Sequence, residues 1–362
     1  MTHSHPRFEQ PARLHERLRV RLGRAVFDYG WEGLAKLGKL VPMAQPSRHG
    51  IDVTYDVPYQ PGGGRDRLLD VYVPTPGQPA AQHVFAPPYP VVLYIHGGGF
   101  RILSKDTHWL MGLAFARRGM VVCNVNYRLS PAHPFPAALE DVAAAYRFVV
   151  EHAARFGGDP SRIILAGESA GANLALTLAL MSCHRRSEPF AAQVFDTGIV
   201  PRAVIPMCGM LQVSDWQRFV RRRPLSHFLT DRLQETAEAY LGPHAAAHGA
   251  TAELADPLLL LEQGIQTERP LPPMFAGVGT ADPLLDDSRR LGRALDKLGV
   301  PSQVRYYPGE IHAFHAFVFR DAARLFDLAG DELAEILQMD MAGHELREGI
   351  GDRDDRLAEV FL

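Results

Sequence analysis

The sequence predicts an α/β protein with a mostly parallel, twisted sheet, helices on both of its faces and a helical cap. Three observations point there. Short apolar runs at 91–95, 120–125, 163–166, 202–207 and 274–279 are punctuated by glycine or proline and read as buried strands. Helix-length segments alternate with them, as parallel strands joined by right-handed crossovers require. Side chains with chemistry stand directly after strand ends, where parallel sheets gather their functional loops. The 362 residues suffice for one large domain, and a hydrophobic fraction of 46% supplies its core.

In chain order, Leu14, Leu18, Leu22, Val26 and Phe27 recur at helical spacing with Arg13, Arg17, Arg21 and Arg24 between them. This predicts amphipathic cap helices within 1–45, packed on the rest of the protein in preference to a membrane surface. Residues 51–59 alternate apolar and polar, turn at Pro61-Gly62-Gly63-Gly64, and resume as a run at 68–73, a β-hairpin signature. The Pro- and Ala-rich stretch 74–90 reads as a surface loop. One helix is expected near 107–118 and another from Ala137, after Pro131, Pro134 and Pro136 have fixed an extended loop. Arg128, Glu140 and Asp141 read as structural ion pairs. A long mixed segment after 202–207 holds Trp216, Phe219, Phe228 and Tyr240 and reads as a lid contributing to an apolar pocket. The last strand is 302–307. The expected organisation is cap helices at 1–45, core at 46–208 and 256–337, a cap insertion at 209–255, and a charged tail at 338–362.

The chain is organised around Ser169, in the run IILAGESAGANLALTLAL. The apolar run at 163–166 reads as a strand and 170–180, apolar nearly all round, as an enclosed helix, so Ser169 sits on the turn between them. Gly167 and Gly171 flank it where a side chain would collide with the turn or a neighbouring strand. The helix N-terminus favours developing negative charge beside the hydroxyl. A second motif, His96-Gly97-Gly98-Gly99-Phe100, directly follows a buried strand. Its glycines let backbone N–H groups turn towards a ligand, the donors an acyl-transfer site needs for a carbonyl oxygen becoming an anion. His96 is expected to brace this loop. Asp282 and His312 follow the last two strand ends; Asp286, Asp287 and His315 are the nearby rivals for their roles.

These residues resemble the bacterial hormone-sensitive-lipase-like (family IV) carboxylesterases. The resemblance spans residues 50 to 335 and rests on HGGGF at 96–100, YRLSPAHPFPAALED at 127–141, GESAG at 167–171, and DPLLDD with IHAF at 282–287 and 311–314. It implies an α/β-hydrolase fold with a sheet of about eight strands. It further implies a Ser169 nucleophile, a His312 base, an Asp282 orienting acid, and an oxyanion hole from the N–H groups of Gly98, Gly99 and Ala170. Phe100, Met210 and Trp216 are expected to contact substrate. Two positions depart from the family pattern. Glu168 stands where relatives usually carry Asp or Thr, and it is expected to point away from the pocket, either holding backbone amides or accommodating one extra methylene. Ala313 stands where Gly is common.

In this reading His312 takes the Ser169 proton during attack, Asp282 fixes the imidazole tautomer, and water hydrolyses the acyl-enzyme. The expected substrates are carboxylic esters of small to medium acyl chain. An amide, carbamate or formamide substrate for the same triad is the alternative, and a non-catalytic receptor on the same scaffold is the alternative of another class. A net charge of −3 argues against a nucleic-acid partner. No cofactor or metal is expected, since the histidines lack the spacing of zinc sites. No stretch is long and apolar enough for stable membrane insertion, and Glu9 and Glu16 interrupt any signal-peptide pattern, so a cytoplasmic location is expected. Cys123, Cys183 and Cys208 read as reduced buried thiols. The resemblance also implies a homodimer, which an edge strand at 302–307 could pair.

Overall fold

The computed structural model describes residues 42–75, 85–243 and 245–316, with Gly30, Gly33 and residues 37–39. Most of the expected N-terminal cap helices, the centre of the 74–90 loop and the charged tail lie outside the described residues. The sheet has eight strands: β1 (Ile51–Pro58), β2 (Leu68–Pro74), β3 (Tyr89–Ile95), β4 (Val121–Val125), β5 (Gly158–Glu168), β6 (Ala203–Met207), β7 (Met274–Gly279) and β8 (Ser302–Tyr307). Their order is β1-β2-β4-β3-β5-β6-β7-β8. Only β2 runs against its neighbours; every pair from β4 to β8 is parallel. The mostly parallel α/β-hydrolase sheet expected from the sequence is the sheet found.

Period-two alternation on β3 divides the core. Val91, Leu93 and Ile95 join one buried cluster, with helices α2 (Ala137–His152) and α3 (Ala170–Cys183) on that face. Val92 and Tyr94 face the other cluster, with α1 (Trp109–Ala116). Because both faces are covered, the central strands β3 and β4 are buried at every position and apolar but for Asn124, whose side-chain amide donates to Lys105 O and His108 O. Helix α3 is buried at every position, which accounts for its unbroken apolar sequence. Helix α4 (Pro189–Asp196) starts on a proline in its first turn and was not legible as a separate element. The insertion carries α5 (Gln217–Arg222) and α6 (His227–Leu241), followed by 3₁₀ turns, α7 (Pro257–Glu262) and, after β7, α8 (Leu285–Leu298). Arg128 pairs with Glu140 and Asp141 at 2.8 Å each, as the sequence suggested. Among the described residues no helix is long and apolar enough to cross a membrane.

Candidate active site

Three strands deliver the site. Ser169 follows β5, Asp282 follows β7 and His312 follows β8, all at the carboxyl edge of the sheet. Ser169 has φ 56° and ψ −115°, a conformation that costs a non-glycine residue roughly 1–3 kcal/mol and lifts the side chain off the sheet. The turn is held from both sides: the Ser169 N–H donates to Met207 O at 3.0 Å, and Ser169 O accepts from the Met210 N–H at 3.2 Å. The flanking glycines are required by contact. A Cβ at Gly167 would lie 2.6 Å from Ile95 O, and one at Gly171 only 2.0 Å from the same oxygen.

The Ser169, His312 and Asp282 side chains form one hydrogen-bonded line. His312 Nε2 is 3.0 Å from Ser169 Oγ, and His312 Nδ1 is 2.8 Å from Asp282 Oδ2. Asp282 is fully buried, and its second oxygen accepts from the Leu284 N–H at 2.7 Å. With Nδ1–H committed to the carboxylate, the Nε2 lone pair faces the serine, as a general base requires. Burial pushes the His312 imidazole down, but the Asp282 charge and hydrogen bond outweigh it and hold its pKa above the ordinary histidine value. The loops bearing Asp282 and His312 are stitched together, with Ala281 N–H donating to Glu310 O at 3.0 Å and Gly309 N–H to Thr280 Oγ1 at 2.8 Å. Ala313 follows with φ 54°, which explains physically why glycine suits this position.

The rival residues are engaged elsewhere. Asp287, at the start of α8, accepts from the Leu211 and Gln212 N–H groups and pairs with Arg218, clamping the segment after β6. Asp286 pairs with Arg222. His315 is buried with neither ring nitrogen hydrogen-bonded, and burial depresses its pKa to about 4.

The glycine loop lies directly on this turn; a Cβ at Gly97 would lie 2.7 Å from Glu168 Oε1 and 3.2 Å from the Ser169 Cβ. Gly98 and Gly99 have φ of 101° and 60°, open to glycine. Each peptide unit is fixed through its carbonyl. His96 Nδ1–H donates to Gly97 O at 2.7 Å, and because a trans peptide directs C=O and N–H oppositely, this sets the aim of the Gly98 N–H. Gly98 O likewise accepts from the Arg101 and Ile102 N–H groups at 3.1 and 3.2 Å, which sets the Gly99 N–H. His96 is stacked between Tyr127 and His108, and burial, followed by the His108 charge, depresses its pKa to about 3, so it braces the loop as a neutral ring.

The expected substrate contacts divide. Phe100 is a correction: it has no exposed surface, because its positive φ turns the ring into the core, 3.6 Å between centroids from Tyr240. Tyr240 in turn meets Phe135 edge-on, and Phe219 is buried too, so these lid aromatics dock the insertion instead of lining a pocket. Met210 is buried beside the serine turn, and Trp216 is half-buried ahead of α5 against the main core. Missed by the sequence reading were the Glu168–His108 pair and Cys208. The Cys208 thiol lies with the Asp282 and His312 ligand atoms within 4.8 Å of one another, the one set of this kind among the described residues. Its Asp282 and His312 members already bind each other.

Comparison with known proteins places this geometry in a lineage. Residues 92–316 match the family described as alpha/beta hydrolase fold. The esterase LipI of Mycobacterium tuberculosis is 31% identical over 274 residues, 72% of this chain and 78% of that protein. An acetyl-hydrolase of Streptomyces hygroscopicus is 34% identical over 242 residues, covering 66% of this chain and 73% of its own. A bacterial heroin esterase shares the fold with a TM-score of 0.66 at 24% identity, over 86% of this chain and 90% of that one. With the four motifs now gathered at one sheet edge and these relatives spanning most of the chain, the protein belongs to the hormone-sensitive-lipase-like branch of the α/β-hydrolase family.

Proposed function

We propose that this protein is a serine carboxylesterase that cleaves esters of small to medium acyl chain through an acyl-enzyme. The observation that carries the reading is the line Ser169 Oγ–His312–Asp282, with contacts of 3.0 and 2.8 Å, beside a glycine loop whose peptide units are held in fixed orientation. In this mechanism Ser169 attacks the ester carbonyl as His312 removes its proton, and buried Asp282 stabilises the imidazolium. The N–H groups of Gly98, Gly99 and Ala170 receive the oxyanion, and one such donor is worth roughly 3–4 kcal/mol of transition-state stabilisation. His312 returns the proton to the departing alkoxide, then activates water against the acyl-enzyme. Met210 and Trp216 are assigned to the substrate pocket. The relative named as an acetyl-hydrolase supports the short end of the acyl range.

Initial rates on p-nitrophenyl esters of increasing chain length, with matched anilides, test this for wild type and Ser169→Ala. Short-ester turnover that disappears in the variant is the expected result. A folded wild-type enzyme that turns over anilides or carbamates but no ester would refute it, and one that binds esters without turnover would make it a receptor. The same reading places the enzyme in the cytoplasm, supported by three buried, unpaired thiols, and pairs two copies through edge strand β8, where Tyr306 is 44% exposed. Sedimentation velocity at micromolar concentration tests the dimer; a monomer there would exclude it.

A further inference from the structure

Beneath the serine turn lies a buried charge that the mechanism above does not use. Glu168 is 2% exposed, and its carboxylate accepts three hydrogen bonds: from the Gly97 N–H at 2.5 Å, from His108 Nε2 at 2.8 Å, and from the Tyr94 hydroxyl. His108 stands immediately before α1 and is 7% exposed. Its Nδ1 lies 3.1 Å from Ser104 O and 2.9 Å from Thr107 Oγ1, and the Thr107 hydroxyl spends its own hydrogen on Ser104 O at 2.7 Å. Both ring nitrogens therefore face acceptors. A ring protonated at both positions satisfies them together with the Thr107–Ser104 bond, the arrangement of an imidazolium against a carboxylate.

We propose that Glu168 and His108 are positioning residues for the oxyanion hole, a buried ion pair that fixes where the glycine loop sits relative to Ser169. The inference rests on the esterase reading above. Glu168 precedes Ser169 in the chain, so its side chain ties the loop to the very turn that carries the nucleophile. Gly97 is the point of attachment: its N–H is held by Glu168 and its carbonyl by His96, and that carbonyl shares a peptide plane with the Gly98 N–H. The Gly97 N–H belongs to the preceding peptide plane, so releasing it unties the Gly97 α-carbon from the serine turn, and the following plane, whose far side is the Gly98 donor, shifts with that hinge. His108 supplies the countercharge that keeps a carboxylate ionised in a site sealed from water, where an unpaired one is strongly disfavoured. Burial pushes Glu168 up and His108 down, yet mutual attraction reverses both, taking Glu168 to about 2 and His108 above its ordinary value.

The full-length variants Glu168→Gln and His108→Gln, with the double variant, test this. Each is titrated with a fluorophosphonate to count reactive serines, then assayed on p-nitrophenyl acetate. Per titrated site, kcat is expected to fall about 10- to 100-fold with KM within about threefold, because the loss falls on the transition state. Affinity for a trifluoromethyl ketone, which forms a tetrahedral oxyanion on the serine, is expected to fall in parallel, while a planar amide inhibitor keeps its affinity. The double variant is expected to be no worse than the worse single one, as for two parts of one device. Single variants within about threefold of wild-type kcat would overturn the proposal, as would a loss explained by fewer titratable serines or by failure of both to fold. Wild type that neither hydrolyses esters nor reacts with the fluorophosphonate would instead overturn the esterase reading on which this rests.

Discussion

Gly171→Ala is the substitution whose consequence follows most directly from coordinates. A Cβ at this position would lie 2.0 Å from Ile95 O and 2.7 Å from both Ile95 C and His96 O, where real Cβ contacts essentially never fall below 3.0 Å. Something must therefore retreat by about an ångström. Ile95 is paired with both Val125 of β4 and Gly167 of β5, so the strand end is the stiffer partner. The first turn of α3 moves instead, and with it Ser169 and the Ala170 N–H. A displacement near 1 Å between reacting groups costs about 100-fold in rate, and overpacking of this kind costs about 1–3 kcal/mol of stability. The assay is kcat/KM on a short p-nitrophenyl ester per fluorophosphonate-titrated site, with thermal unfolding in parallel. Gly292→Ala in α8 is the control: its Cβ would meet a single Val304 methyl at 3.1 Å, and alanine favours a helix interior by about 1 kcal/mol. Expected are a large loss of activity and a lower Tm for Gly171→Ala and near-wild-type values for Gly292→Ala. A Gly171→Ala enzyme within about threefold of wild-type kcat/KM would refute the claim that close helix–strand approach sets the position of the nucleophile.

Two further perturbations concern protons. Asp282→Asn is expected to lower kcat by about 10²- to 10⁴-fold and to move the acid limb of kcat/KM downward in pH, because burial then governs His312 without the carboxylate that raises its pKa; a limb that stays in place would contradict this. His96 and His315 are held neutral in the fold at about 3 and about 4, below the unfolded value of 6.5, so the unfolded chain binds protons that the native one does not and stability falls as pH drops below 6.5. His108 and His312, with raised values, have their contribution fully in place below 6.5 and do not offset the fall. Urea unfolding between about pH 6 and pH 5 is expected to show His315→Leu losing about 1.4 kcal/mol per pH unit less than wild type; an unchanged slope would mean that His315 titrates freely in the fold.

The site was legible in the sequence wherever its chemistry coincides with chain punctuation. Ser169 and Asp282 each follow an apolar run closed by glycine or a turn, His312 follows the mixed edge strand and its Pro308-Gly309 turn, and strand order brings those ends to one edge whatever the side chains beyond them do. Between Asp282 and Asp287 nearness to the strand end favours Asp282, and the turn before α8 does turn it to His312 while Asp287 meets the Leu211 and Gln212 amides. Phe100 misled for a related reason: adjacency to the glycine loop suggested substrate, but its φ of 59° sends the ring the other way, under Tyr240. The Glu168–His108 pair joins a motif residue to one outside any motif and far from it in the chain, and leaves no local pattern at either position.

The insertion's place in the fold bears on how the site is built. Three consecutive loop residues touch α6: a Cβ on Gly99 would lie 2.6 Å from Thr236 Oγ1, Phe100 stacks on Tyr240, and Arg101 pairs with Glu235 at 3.2 Å. On the other side, Arg223 donates to Ala281 O at 2.9 Å, next to Asp282, and Asp287 holds the segment leading into α5. The insertion is thus fastened to the donor loop and to the acid loop at once, with the serine turn between them. A helix pinned by an aromatic stack, an ion pair and a close backbone approach gives up all three together if it lifts away. Its anchored face therefore belongs to the frame that orients the glycine loop beside Ser169.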